Sequence, residues 1–401
     1  MKHCLDELAV FGGPVAFSQP IHVGRPNIGN RQRFLERMQD LLDRRWLSND
    51  GPLVQEFEHR IAEQLQVKHC VAMVNGTVAL QIAIRATGMS GEILVPSFTF
   101  IATVHALQWQ GIVPVFCDID PATHTLDVSR LESRITQATQ GIIGVHLWGR
   151  ACDVVGIETV AKKFNLPVIY DAAHAFGCTT GGKKIGGFGQ AEVLSFHATK
   201  FINSFEGGAI VTNDDLVAQR SREMRNFGFA GYDNVTELGT NGKMNEACAA
   251  MGLTSLESFD EFVAVNRRNY KHYVEKLNSI PEISVITYDE REHNNFQYVV
   301  LEVSDNLPLS RDDLVQLLFA ENVLARKYFY PGCHRMEPYK TSIPDASRYL
   351  SETETVCRRV LSVPTGTATS LDDIEQICQL LTFCIQHADA IGKRLRDHAA
   401  R

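Results

Sequence analysis

The sequence predicts an α/β protein, with a large domain on a mostly parallel sheet followed by a smaller α+β domain. From about residue 70 short apolar runs alternate with helical spacings, strand, turn, helix, as far as Met224. That alternation implies parallel strands covered by helices on both faces. Beyond residue 255 the texture changes to a charge-rich helix and isolated strands, the pattern of a separate packed unit. A chain of 401 residues also exceeds what one small core accommodates.

Residues 1–30 read as an N-terminal arm, punctuated by Gly12-Gly13-Pro14, Pro20, Gly24 and Pro26. The large domain is assigned to 31–254. Arg31 to Trp46 places Phe34, Met38, Leu41, Leu42 and Trp46 on one helical face, and W-L-S-N-D-G-P breaks it. Helical spacing resumes from Leu53 to Leu65. Strands follow at Cys70–Val74, Ile93–Val95, Val113–Cys117, Gly141–His146 and Leu166–Tyr170. Helices lie between them, from Asn75 to Ala86, after P-S-F-T-F through Gln108, and from Ile157 to Phe164. Asp214 caps a helix to Met224, and the stretch after it, R-N-F-G-F-A-G-Y-D-N-V-T-E-L-G-T-N-G-K, is long, Gly-rich and poorly periodic. The small domain, 255–401, takes helices at Phe259–Leu277, Arg311–Glu321 and Leu371–Ala388, with strands at Ile283–Thr287 and Gln297–Val303.

Composition narrows the class of function. The chain is 44% hydrophobic and 21% charged, as ordinary globular proteins are. Its ten cysteines form no C-x-x-C, so neither a zinc ribbon nor a redox pair is expected and no metal site is assigned. Cys117 and Cys178 lie in or beside apolar strands and read as reduced core residues of a cytoplasmic protein. The N-terminus lacks an apolar signal region, and no apolar run approaches the ~18 residues of a membrane span. A net charge of −8 disfavours nucleic acid as a partner.

The chemistry is placed at V-L-S-F-H-A-T-K-F-I-N-S-F-E-G-G-A-I-V-T, Val193 to Thr212. A buried strand there ends in polar residues and a single lysine, Lys200, before a tight return through Glu206-Gly207-Gly208. Desolvated at a strand end, a lysine becomes an amine nucleophile towards a carbonyl. Taken alone, such a lysine is a surface charge. Asp171 alters that reading, because it follows the apolar run Leu166–Tyr170 where a parallel strand ends and where ligands of open α/β sheets bind. On its own Asp171 is equally a helix N-cap. Together the amine and the carboxylate match what pyridoxal 5'-phosphate requires, an imine-forming lysine and an acid that keeps the pyridine nitrogen protonated.

Further residues fit such a site, each with a plainer alternative. Asn75-Gly76-Thr77 opens a helix after a strand, which makes it a phosphate cradle or a simple N-cap. Ser195 offers another hydroxyl, or is a tolerated strand serine. Phe100 in P-S-F-T-F is placed to lie against the ring, with Phe98 as its competitor and core packing as the alternative. His174 is spaced to reach the ring's phenolic oxygen, or is a satisfied core histidine.

The segments N-G-T-V-A-L, V-P-S-F-T-F-I-A-T, G-V-H-L-W-G-R, D-A-A-H-A-F-G, S-F-H-A-T-K, E-G-G-A-I-V-T-N-D and G-T-N-G-K-M-N-E-A-C-A-A-M-G, in this order, resemble the DegT/StrS family of nucleotide-sugar aminotransferases. The likeness runs from about residue 10 to about residue 390. It implies the type I aminotransferase fold, pyridoxal phosphate, and a homodimer with active sites at the interface. By resemblance, Lys200 is the Schiff-base lysine, Asp171 the acid at the pyridine nitrogen, Phe100 the stacking aromatic, and His174 the neighbour of the phenolic oxygen. Gly76, Thr77 and Ser195 match phosphate contacts, and Asn241 matches an asparagine reaching the phosphate from the neighbouring subunit. Asn75 departs from the family's more common serine. Lys200 excludes the similar sugar 3-dehydratase branch, which carries histidine there.

S-F-H-A-T-K with E-G-G is more like members that aminate C4 of a 4-keto-6-deoxy sugar than C3. The resemblance then implies L-glutamate as donor and dTDP-4-amino-4,6-dideoxyglucose as product. A C3-directed aminotransferase, or a cofactor-binding regulatory protein without turnover, remains the alternative. For a nucleotide diphosphate, the cations Arg326, Lys327, His334 and Arg335 around Y-F-Y-P-G-C-H-R are the candidates, against a charged loop at a domain seam. Trp46 and Trp148 pack either on the sugar or in the core.

Overall fold

Residues 2–399 are described by a computed structural model. The arm packs against the C-terminal part of the chain. Leu8, Phe17 and Ile21 are buried in the C-terminal core beside Tyr273, Leu314 and Ile377, and buried Glu321 accepts from the amides of Ala9 and Ala16. A short strand β1 (Ile21–His22) continues this attachment. Helices α1 (Arg31–Arg44) and α2 (Pro52–Leu65) follow close to their expected limits.

Strands β2 (His69–Met73), β3 (Glu92–Pro96), β4 (Val113–Cys117), β5 (Thr139–Val145) and β6 (Val168–Asp171) come next. A two-residue hairpin, β7 (Thr179–Thr180) with β8 (Lys183–Lys184), precedes β9 (Ala191–Ser195) and β10 (Gly208–Thr212). One seven-stranded sheet takes the order β2-β10-β9-β6-β5-β3-β4, with only β10 antiparallel to its neighbours. Alternate residues of each strand face opposite layers. Val71, Ile93, Ile143, Ile169, Val193 and Ile210 pack with helices α3 (Gly76–Ala86) and α4 (Ile101–Gln108). Leu94, Ile142, Val168 and Tyr170 face the helix Val154–Phe164, while Ala72, Leu194 and Ala209 pack towards α2. Both faces are covered, so the strands read as unbroken apolar runs.

The C-terminal part holds the antiparallel strands β11 (Ile283–Val285) and β12 (Val299–Val303), and the short β13 (Val323–Leu324), which pairs in parallel with β1. β14 (Val360–Val363) pairs with β12 and completes that sheet. The helix Ser351–Arg359 is tied to the end of β4 by buried Asp118, which accepts from Thr353 N at 2.8 Å, Thr353 Oγ1 at 2.9 Å and Glu352 N at 3.1 Å. No helix among the described residues is long and apolar enough to cross a membrane.

Candidate active site

The largest constellation of chemistry lies where the parallel strands end. Register sets Asp171, the last residue of β6, level with Val145 of β5 and Val193 of β9. On the far side, Ser195 is level with Gly208 of β10, which in turn pairs with Met73 of β2. A cavity of about 550 Å³ opens there, lined by Gly76, Thr77, Phe100, Asp171, His174, Ser195 and Lys200. Seven of the eight sequence-assigned site residues therefore converge. Asn241 does not line this cavity; it is exposed and bridges to Asn226 across the Gly-rich segment.

Asn75 both caps α3 and lines the cavity beside Gly76 and Thr77. Asn75 is extended at φ −164°, and its Oδ1 accepts from Val78 N at 2.8 Å, an N-cap of ~1 kcal/mol. Gly76 and Thr77, the first two helical residues, stand at the cavity with the positive end of α3. Gly208 of E-G-G permits the close approach of α3, and Gly207 the tight return beside it. A Cβ on Gly208 would sit 2.6 Å from Gly76 N, and one on Gly207 would overlap Ser204 Oγ.

Lys200 sits in the return between β9 and β10, where its N–H donates to His197 O at 2.8 Å. Gln297 Nε2 donates to Thr199 O at 3.0 Å, and Asn27 Nδ2 to Phe201 O at 3.3 Å, so the loop is pinned on both sides of the lysine. Burial lowers the Lys200 pKa to about 8, while the Asp171 charge pulls it upward. Near neutrality about a tenth is thus free amine, far more than for an ordinary lysine, and that is the form that attacks carbonyls and accepts protons.

Asp171 is held on both oxygens. Ala173 N donates to Oδ1 at 3.1 Å and Thr103 Oγ1 to Oδ2 at 2.7 Å. Because the Thr103 proton is engaged, Thr99 must donate in the 3.0 Å contact between the two hydroxyls. Sequence reading overlooked this relay. The available signal was the threonine in the first turn of the helix that Phe100 caps. Phe100 itself is 54% exposed and lines the cavity, whereas Phe98 is buried against Trp148 and Phe329 and does not.

His174 is buried, stacked on Trp148 and Phe329, and held well below its ordinary pKa by burial and then by Lys200. Asn295 Nδ2 donates to the backbone carbonyls of His174 and Phe176 at 3.0 and 3.2 Å, which fixes the turn after β6. Trp148 proves to be core, and Trp46 is half-exposed away from the cavity lining. Of the cations near Y-F-Y-P-G-C-H-R, Arg326 alone lines the cavity. Lys327 pairs with Asp312, while His334 and Arg335 both turn to Glu354. Tyr328, in the segment whose aromatics were candidates to stack on a base, lines the site, as do Tyr298 and the pair His197 and Glu206, which sequence reading had not singled out as contacts.

Residues 29–382 match the DegT/DnrJ/EryC1/StrS aminotransferase family. A dTDP-4-amino-4,6-dideoxy-D-glucose transaminase of Shigella dysenteriae is 38% identical over 90% of this chain and 97% of its own length. Its namesake from Escherichia coli is 33% identical over 90% of this chain and 98% of that protein. Among solved structures, DesI, crystallised in the presence of its TDP-sugar product, superposes with a TM-score of 0.94 at 47% identity, covering 98% of this chain and 100% of DesI. The fold described above is that of these sugar aminotransferases. The chain belongs to the DegT/DnrJ/EryC1/StrS aminotransferase family.

Proposed function

We propose that this enzyme moves the amino group of L-glutamate to C4 of a dTDP-linked 4-keto-6-deoxy sugar, giving dTDP-4-amino-4,6-dideoxyglucose and 2-oxoglutarate. The observation that carries the reading is Lys200 and Asp171 at one strand-end cavity beside the N-terminus of α3. The names of the Shigella and Escherichia coli relatives and of the DesI complex support the product and the nucleotide.

The residues present fit pyridoxal phosphate. Gly76, Thr77 and Ser195 supply amides and hydroxyls for the phosphate, Phe100 a flat face for the ring, and Asp171 an acceptor for the pyridine N–H. The buried Nδ1 of His174 has no hydrogen-bond partner among the described residues, which suits a contact to a ring substituent. When bound, the cofactor supplies an electron sink and carries the amino group between donor and acceptor. Lys200 would then be the acid–base group of both halves, its Nζ taking a proton from the donor's α-carbon in the first and delivering one to the sugar carbon in the second. Asp171, oriented by Thr103, stays directed at the ring nitrogen, and Arg326 at the rim is placed for the anionic diphosphate.

The assembly is proposed to be a homodimer. Its support is the exposure of Phe100 together with Phe227, Tyr232, Val235 and Leu238 on the Gly-rich segment that carries Asn241. In that assembly Asn241 reaches the phosphate of the neighbouring site. The domain limits 1–30, 31–254 and 255–401 and a cytoplasmic setting are proposed with it, the latter on ten unpaired cysteines. Incubation with glutamate and dTDP-4-keto-6-deoxyglucose, with NMR of the product, tests the reading. An amine at C4 is expected; an amine at C3, or no product from cofactor-loaded enzyme, overturns it.

A further inference from the structure

We infer that Tyr298 is a positioning residue that holds His174 as its Nδ1–H tautomer, so that the imidazole presents one hydrogen-bond donor to an oxygen of the ligand in the cavity. Tyr298 Oη and His174 Nε2 are 3.1 Å apart, with both residues more than nine-tenths buried. Each is the other's single side-chain hydrogen-bond partner among the described residues, and His174 Nδ1 has none. The rings cannot turn freely. Trp148 and Phe329 stack on the imidazole, and Trp148 and Tyr328 pack edge-on against the tyrosine.

A neutral imidazole has one N–H and one lone pair, and a phenol has one proton to give. If Tyr298 donates, Nε2 is the acceptor, Nδ1 carries the hydrogen, and only that N–H lacks a partner. If Nε2–H donates instead, the phenol proton and the Nδ1 lone pair are both orphaned. Buried polar groups avoid being orphaned, so the first arrangement prevails. Burial supports it, since it keeps the imidazole uncharged and the phenol protonated. The remaining donor belongs to a residue lining the cavity with Lys200 and Asp171. That the oxygen it meets is on pyridoxal phosphate rests on the function proposed above; the tautomer itself does not.

The test is nitrogen-15 NMR of ring-labelled histidine in the cofactor-free protein, with the His174 signals assigned by their loss in His174→Gln. The expected result is a protonated, pyrrole-type Nδ1 and an unprotonated, pyridine-type Nε2. In Tyr298→Phe the same signals should move to a mixture dominated by Nε2–H, a change that loss of packing alone does not produce. Native protein with Nε2–H, or a Tyr298→Phe variant keeping Nδ1–H, overturns the inference. Should Tyr298→Phe fail to fold by circular dichroism, the native spectrum decides alone. Pyridoxal phosphate is then added. Tyr298→Phe should retain it several-fold more weakly and with a shifted visible absorbance, and an unchanged dissociation constant and band refute the role towards the ligand. Nδ1–H in a protein that takes up no cofactor would sink the proposed function and leave the tautomer standing, whereas Nε2–H in a protein that binds cofactor would do the reverse.

Discussion

The strand-end wall of the cavity and the segment from Arg326 to Arg335 make an instructive pair. In the wall, each polar group has a position dictated by the sheet. Asp171 ends β6, Ser195 ends β9, and Gly76 follows β2, with register placing them side by side. The later segment holds more charge, yet most of it is neutralised internally. Lys327 meets Asp312, and His334 is enclosed between Ser97 Oγ at 2.7 Å and Glu354 Oε1 at 3.2 Å. Only Arg326, with no carboxylate partner among the described residues, remains at the cavity. Topological position therefore identifies a site better than charge density does.

The largest effect expected on the wall is at its amine. Lys200→Ala should reduce kcat by more than about 10⁴-fold, since it removes the amine proposed as both covalent anchor and base. Borohydride followed by mass spectrometry should fix the cofactor to native protein at Lys200 and not to the variant. Persistent turnover would remove the distinction between the two regions. Asp171→Asn comes next, at about 10²-fold or more in kcat. The sign of its effect on Lys200 follows from charge. Asp171 raises a pKa that burial has lowered to about 8, so neutralising it should lower that pKa further. Amine labelling of the cofactor-free variant should then titrate at lower pH than in native protein, and an unmoved titration would mean the two groups do not interact.

Thr103→Val probes the wall one layer deeper. It leaves buried Asp171 Oδ2 without its 2.7 Å donor at the cavity wall, a loss of about 1.5–3 kcal/mol for a hydrogen bond to a charged group. About tenfold or more in kcat/KM should disappear, and Thr103→Ser, which keeps the hydroxyl, should recover most of it. If valine and serine behave alike, the hydroxyl relay has no part in orienting the acid.

What could be read from the sequence follows the same division. The βα alternation and the residues at strand ends were legible because a parallel sheet buried on both faces leaves continuous apolar runs that stop at functional positions. The helix Glu246–Glu257 was missed, since nine of its residues are buried around its circumference and leave no amphipathic stripe. Ser351–Arg359 and β14 were missed as well, hidden in a short charged stretch whose order comes from Asp118, far away in sequence. Thr103 shows only its place in the first turn of α4, and Tyr298 carries no local pattern. Their meaning depends on partners 68 and 124 residues distant.

The smallest expected effects separate two arginines of the same segment. Arg326→Ala should raise KM for the nucleotide sugar about tenfold and leave kcat within about twofold, as loss of a contact equal in ground and transition states does. Arg335→Ala should leave KM unchanged within about twofold. Its guanidinium donates to Glu354 at 2.6 Å and is 46% exposed, so the pair contributes at most ~1 kcal/mol, largely screened by solvent. A small decrease in Tm is its expected signature. Equal KM changes in the two variants would mean that Arg335 leaves Glu354 to meet the diphosphate, and the internal neutralisation that sets this segment apart from the strand-end wall would then be only a resting arrangement. Unequal changes, read together with the Tm, would show that pairing within the chain decides which cations a ligand can recruit.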